Sequence, residues 1–268
     1  MYPRIGGIEN LDGLALYYPV LALATATATV VPLWLLAREG VPVRRLVLYV
    51  ACLGVGGFLG AKLYSIVFQG GFRGLDVEIA GGWRYPGSLL GTLIAGFAFR
   101  GFLPRDFSAA RYFDAWAPGF SFGIGIGRIG CLLWGCCHGA VSAWPWALSY
   151  PRGSIAWFQH FERGEIAVGL ASSLPVHPLP LYLFSMEFAL GFFLLWFRGR
   201  KAYDGQVLLA FLLLHGTFKY LLEYFRDPVH WMHQTVLPIA MVAGLVLLVV
   251  RMRRGAASAY PAMSSART

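Results

Sequence analysis

Gly13 to Ala37 runs for 25 residues without one charged side chain, and six further stretches nearly as apolar follow it. A hydrocarbon layer about 30 Å thick is crossed by about 20 mostly apolar residues in helical form. Leu46 to Phe72 carries only Lys62, and Tyr85 to Phe99 is uncharged but short. Ala115 to Cys137 is glycine-rich and carries only Arg128; Leu179 to Phe197 carries only Glu187. Gln206 to Phe225 holds His215, Lys219 and Glu223, and Met232 to Val250 holds only His233. The expected fold is an all-α integral membrane protein of about seven transmembrane helices. Composition agrees: 13% of the residues are charged, against about 25% in a soluble globular chain.

The net charge of +9 would suggest nucleic acid in a soluble protein, but here it reads as a topology signal. With seven crossings, thirteen of the 22 Lys and Arg residues fall in loops on one side and six on the other; Lys62, Arg128 and Lys219 lie within spans. The richer side is cytoplasmic by the positive-inside rule. This predicts an outer N-terminus, a cytoplasmic C-terminus and no nucleic-acid partner. Met1 to Asp12 lacks the basic and apolar regions of a signal peptide, so the first span is expected to be retained. Residues 1–254 form one expected transmembrane domain, and residues 255–268 a disordered tail. The long connection at about 138–178 carries Trp144, Trp146, Trp157 and Phe158. It is expected on the outer face, either as an interfacial arm or as a plain loop with aromatic anchors.

Charges inside a membrane are costly and usually face a partner, a cavity or a substrate. His215, Lys219 and Glu223 are four residues apart and share one helical face, with Arg226 following within a turn. That face suits a polar chamber for an anionic headgroup, or a simple Lys219–Glu223 pair. Arg128 lies among Gly123, Gly125, Gly127 and Gly130. Those glycines allow close backbone approach or free backbone groups to line a cavity. A guanidinium is a permanent planar fork matched to phosphate, though pairing with Glu187 is the alternative. Lys62 either snorkels or faces the same chamber. His177 has the position of a capping or anchoring residue. Cys131, Cys136, Cys137 and His138 are expected to be packed thiols beside glycine, with no metal, because adjacent cysteines cannot readily both point at one ion. No repeat is visible, which weighs against a transporter of two related halves. There is no phosphate-binding loop, HExxH or nucleophile elbow.

The run Asp114-Ala115-Trp116-Ala117-Pro118-Gly119, continuing through Gly127-Arg128-Ile129-Gly130-Cys131 to Gly135-Cys136-Cys137-His138-Gly139, resembles the signature of bacterial prolipoprotein diacylglyceryl transferases. Gly60-Ala61-Lys62-Leu63-Tyr64, Pro145-Trp146-Ala147, His177-Pro178 with Leu181-Tyr182, and His215-Gly216 through Lys219, Glu223, Arg226 and Asp227 are similar to further family motifs in the same order. The resemblance spans residues 45 to 235. It implies seven helices and location in the bacterial inner membrane. It implies transfer of diacylglycerol from phosphatidylglycerol to the lipobox cysteine of a preprolipoprotein, giving a thioether and glycerol phosphate, with no cofactor. It assigns Arg128 to the lipid headgroup, with Gly127, Gly130, Gly139, Lys62 and Arg226 as binding positions. Lys219 and Glu223 match the basic and acidic residues of the sixth-helix motif, and His215, Tyr85 and His138 are candidate bases. The chain also departs from the pattern. Pro86 stands where the family has an essential His, Lys219 replaces an Arg, and Leu179-Pro180 and Leu183 replace polar residues. A catalytically impaired paralogue that binds lipid or lipoprotein, or a small-anion transporter, are the competing readings.

Overall fold

The computed structural model describes residues 11–69, 85–99, 101, 108–167, 169–226, 246 and 250. Among these the chain forms α1 (Leu11–Ala37), α2 (Val43–Gln69), α3 (Tyr85–Ala98), α4 (Ala109–Trp134), α5 (Ile155–Glu162), α6 (Leu179–Arg198) and α7 (Gln206–Glu223). No strand forms among the described residues; three isolated bridges tie the connection between α4 and α6. Six of the seven expected spans are therefore helices. Of the seventh, Met232 to Val250, only residues 246 and 250 are described, and the tail 255–268 lies outside the described residues. Arg44, Arg45 and Arg111, read from sequence as loop cations, stand instead within the first turns of α2 and α4.

Among the described residues, four helices are long and apolar enough to cross a membrane: α1, α2, α6 and α7. The chain is a multi-pass helical membrane protein. Their outward faces expose Leu59, Leu63, Val67, Phe192 and Trp196, a surface too apolar for water. Helix α3 has 14 residues, so it is about 21 Å long at 1.5 Å per residue, short of the hydrocarbon thickness. Helix α4 has 26 residues but is not among the four, because Arg111, Asp114, Arg128 and its glycines lower its hydropathy.

The chain divides into two compact units, residues 29–115 and residues 1–28 with 116–268. In the first, α2 and α3 meet along glycine. A methyl group built on Gly56 would strike the Ala95 methyl, one on Gly60 the Gly87 carbonyl, and one on Gly91 the Gly56 carbonyl. The Tyr49 hydroxyl donates to Gly96 O at 2.7 Å, its ring meets Tyr112 edge-on at 4.6 Å, and Arg111 pairs with Glu39 at 2.8 Å.

In the second unit, Leu190 and Leu194 of α6, Val207 and Phe211 of α7 and Ala117 of α4 form the apolar core. Trp116 stacks on Phe120 beside it, with ring centres 4.0 Å apart. The connection at 138–178 is a folded arm. Leu148 and Val176 exchange two backbone hydrogen bonds of 3.0 Å, and Ser154 caps α5 by accepting from the Trp157 N–H. Tyr150, Ala156 and Val176 are its buried centre. Trp144, Trp146, Phe158 and Phe161 remain exposed.

Candidate functional site

Polar side chains of α4, α6 and α7 converge in two layers. Ser121 and Arg128 are seven residues apart on α4, and His215 and Glu223 eight apart on α7. These separations are about 10 and 12 Å along the helices. The first layer is Ser121, Glu187 and His215. The Ser121 hydroxyl lies 2.8 Å from Glu187 Oε2 and also from Glu187 O. His215 Nδ1 lies 2.6 Å from Glu187 Oε1, and its ring stacks on Phe211 at 5.2 Å. Glu187 is wholly buried, and Ser121 and His215 are buried with it. A carboxylate in such a place is tolerable only with charge-assisted hydrogen bonds, and both of its oxygens have one.

The second layer holds Arg128, Lys219, Glu223 and Arg226. Lys219 Nζ is 3.7 Å from Glu223 Oε2, and Arg226 Nε is 3.1 Å from Glu223 Oε1. Arg128 and Arg226 both lie within electrostatic reach of Lys219. Two cations therefore flank the Glu223 carboxylate, and Arg128 adds a third positive charge near Lys219. Arg128 donates from Nη1 to Cys137 Sγ at 3.9 Å. Its Nε is buried and makes no hydrogen bond among the described residues, so the guanidinium keeps donor capacity at a site of excess positive charge.

The stripe read from spacing thus divides. Lys219 and Glu223 do pair, but Arg226 joins them, while His215 is engaged by Glu187. Glu187 takes Ser121 and His215 as hydrogen-bond partners and leaves the Arg128 Nε unpartnered. Lys62, half-buried on α2, and Tyr85, the first residue of α3, belong to the 29–115 unit. His138 is held at both ring nitrogens, by Gly139 O at 2.9 Å and Gln159 Oε1 at 2.8 Å. It fixes the start of the arm to α5 within it. His177 anchors as its position suggested: its backbone bonds to Gly139 and Ala140, and its Nδ1 lies 3.3 Å from the Tyr182 hydroxyl.

The glycines around Arg128 do not open the backbone, since α4 is continuous from Ala109 to Trp134. They accept neighbours. Gly123 faces Ala24 and Ala28 of α1, Gly130 faces Tyr17 and Val20, and Gly125 faces Phe188. Gly127 has only the Ala24 methyl near it, at 3.9 Å from an added carbon. Gly139 is different: a side chain there would meet Phe225 O at 2.6 Å and the His177 Cβ at 2.7 Å. The Gly139 N–H donates to His177 O and the Ala140 N–H to Phe225 O, at 2.9 and 2.6 Å. This seam ties the end of α4 to the residues following α7.

The end of α4 corrects one expectation. Cys131, Cys136 and Cys137 do converge, with all three sulfur atoms within 4.8 Å of one another. Gly135 takes φ +70° and Cys137 φ +55°. The Cys136 N–H donates to Cys131 O and the Gly135 N–H to Leu132 O. This is a Schellman cap, which brings the second residue past the helix back over the last turn; Cys136 thereby returns to Cys131. The left-handed backbone at Cys137 turns the adjacent thiol the same way. Residue spacing alone hid this, but Gly135 three residues after Leu132 was the signal for it. Ser121 was also passed over, although it stands seven residues from Arg128 on the same helical face.

Helices apolar enough to cross a membrane, with Arg128, Lys219 and Arg226 half-buried beside Glu223, define a helical membrane protein with a cluster of positive charge inside it. The chain belongs to the prolipoprotein diacylglyceryl transferase family, whose model matches residues 13–253. Curated relatives named phosphatidylglycerol–prolipoprotein diacylglyceryl transferase include one from Vibrio cholerae, 33% identical over 64% of this chain and 60% of its own length. One from Bordetella avium is 29% identical over 75% of each chain, and one from Clostridium tetani is 25% identical over 65% of this chain and 66% of its own. The match to the Vibrio cholerae relative thus spans about three fifths of that protein.

Proposed function

We propose that this chain transfers diacylglycerol from phosphatidylglycerol to the lipobox cysteine thiol of preprolipoproteins, in the bacterial inner membrane. The observation that carries the reading is Arg128, whose buried Nε lacks a partner beside Lys219 and Arg226. The names of the relatives support it at the level of substrate and reaction. The topology proposed with it is seven spans, an outer N-terminus, a cytoplasmic C-terminus, and the 138–178 arm at the outer headgroup level, where its exposed tryptophans would settle.

The thiol loses its proton, and the thiolate attacks the glycerol carbon that bears the phosphate. A carbon–sulfur bond forms, the carbon–oxygen bond to phosphate breaks, and glycerol phosphate leaves with the electron pair. Arg128, Lys219 and Arg226 stabilise the charge growing on that phosphate, where low dielectric strengthens each interaction. Glu223 holds the two flanking cations in place. Gly127, Gly130 and Lys62 are further proposed binding positions. Tyr85 and His215 are the proposed proton acceptors. His215 has its Nδ1 committed to Glu187, which leaves Nε2 for a proton.

Protein in phosphatidylglycerol liposomes with a lipobox peptide should give a thioether-linked diacylglyceryl peptide by mass spectrometry. Arg128→Ala should lower its formation on the order of 10²–10³-fold, the usual effect of removing one preorganised donor. Absence of product from folded wild-type protein would overturn the reading. Pro86, in place of the family His, favours a second reading, a lipid-binding paralogue impaired in transfer. Activity gained only in Pro86→His would establish it.

A further inference from the structure

We propose that Cys131, Cys136 and Cys137 form a three-thiolate site for one thiophilic metal ion of the zinc class, with a fourth coordination position left open. The inference does not rest on the transferase reading, although both use Arg128, and it assigns a ligand to three cysteines for which that reading has no use. All four cysteines of the chain are free thiols; Cys52 belongs to α2, and the other three to the end of α4 and the residues just past it. The three sulfur atoms lie within 4.8 Å of one another. Thiolates bound at about 2.3 Å to a tetrahedral zinc ion stand about 3.8 Å apart, so contraction by about 1 Å at most closes the site. The backbone already supplies the convergence, through the helix cap at Gly135 and the left-handed Cys137. The site is thus preformed by local structure rather than by chance contact of flexible side chains.

Charge favours the same conclusion. Three thiolates with a divalent ion carry one net negative charge, which would be costly in a low-dielectric interior without a counter-ion. The Arg128 guanidinium stands 3.9 Å from Cys137 Sγ, with its buried Nε unpartnered, and cancels that charge. His138, next in sequence, is committed to Gly139 and Gln159, so it does not supply a fourth ligand. An incomplete protein ligand set of three is the pattern of zinc sites that keep a place for an exogenous ligand.

The test uses full-length protein in detergent, reduced with a phosphine and titrated with cadmium(II). The expected result is saturation at one ion per chain, with the ultraviolet thiolate-to-cadmium charge-transfer band of three thiolates. The band should persist in Cys52→Ser and vanish in the triple variant Cys131→Ser, Cys136→Ser, Cys137→Ser. Alkylation of the wild type, read by mass spectrometry, should show zinc protecting Cys131, Cys136 and Cys137 but not Cys52. That readout needs no variant and holds even if the triple variant fails to fold. No band, a band lost in Cys52→Ser, equal alkylation with and without zinc, or a Cys131–Cys136 or Cys131–Cys137 disulfide in protein taken from native membranes would overturn the proposal.

Discussion

The α2–α3 pair and the α4–α6–α7 group solve one problem in two ways. In hydrocarbon, helices gain nothing from hiding apolar side chains from each other, because lipid is equally apolar. Helices α2 and α3 associate by removing side chains altogether, so that backbone meets backbone at Gly56, Gly60, Gly87 and Gly91. Helices α4, α6 and α7 instead share a buried carboxylate and a cation cluster over a core of Leu190, Leu194 and Phe211. The first arrangement rests mainly on shape, with the Tyr49–Gly96 hydrogen bond beside it, and tolerates little added volume at those glycines. The second depends on matching the buried Glu187 carboxylate with Ser121 and His215. Only the second leaves donor capacity, at Arg128, for a ligand.

The comparison is broken most strongly at His215. His215→Ala leaves Glu187 buried with Ser121 as its remaining side-chain partner, and the expected loss is on the order of 3 kcal/mol, read as thermal unfolding in detergent. A loss no greater than that of Lys219→Met would show that the first layer is no more structural than the second. Gly91→Leu should cost about 1–3 kcal/mol by overpacking, with transfer per folded molecule kept. Transfer lost without any change in unfolding temperature would tie the glycine seam to chemistry instead of packing.

The smallest effect belongs to the arm. His160 is buried, its Nδ1 accepts from the Leu174 N–H at 3.2 Å, and burial pushes its pKa below the ordinary 6.5, partly opposed by Glu165. The folded arm therefore keeps the neutral ring while the unfolded chain takes up a proton. Stability should be constant above about pH 6.5 and decline as pH falls from there towards the lowered folded value. Hydrogen exchange at the Leu174 amide reads it. Protection that is flat across this range, or that rises on acidification, would remove His160 as the arm's pH-sensitive element.

Much of this was legible in the sequence because a membrane imposes a coarse rule. Long uncharged runs must be helices, and α1, α2, α6 and α7 follow that rule closely. Arg128, Lys219, Glu223 and Arg226 stood out because a charge in such a run is expensive, and the structure gathers them. Partners across helices were not legible. Spacing on α7 joined His215 to Lys219, yet Glu187 of α6 takes it. The glycines near Arg128 allowed either close approach of neighbours or an opened backbone; α4 is continuous and uses them for close approach, seating α1 and α6.

The sequence by itself determined where the long helices α1, α2, α6 and α7 run, which charges stand among apolar segments and which family the motifs resemble, because these depend on hydropathy and order along one chain. Only the tertiary structure decided that Glu187 is satisfied by Ser121 and His215, that Arg128 keeps a free Nε, and that three thiols meet past the end of α4. Each of these depends on the direction of a side chain or the sign of a φ angle, and on a partner distant in sequence. Residue type and spacing leave all of those open.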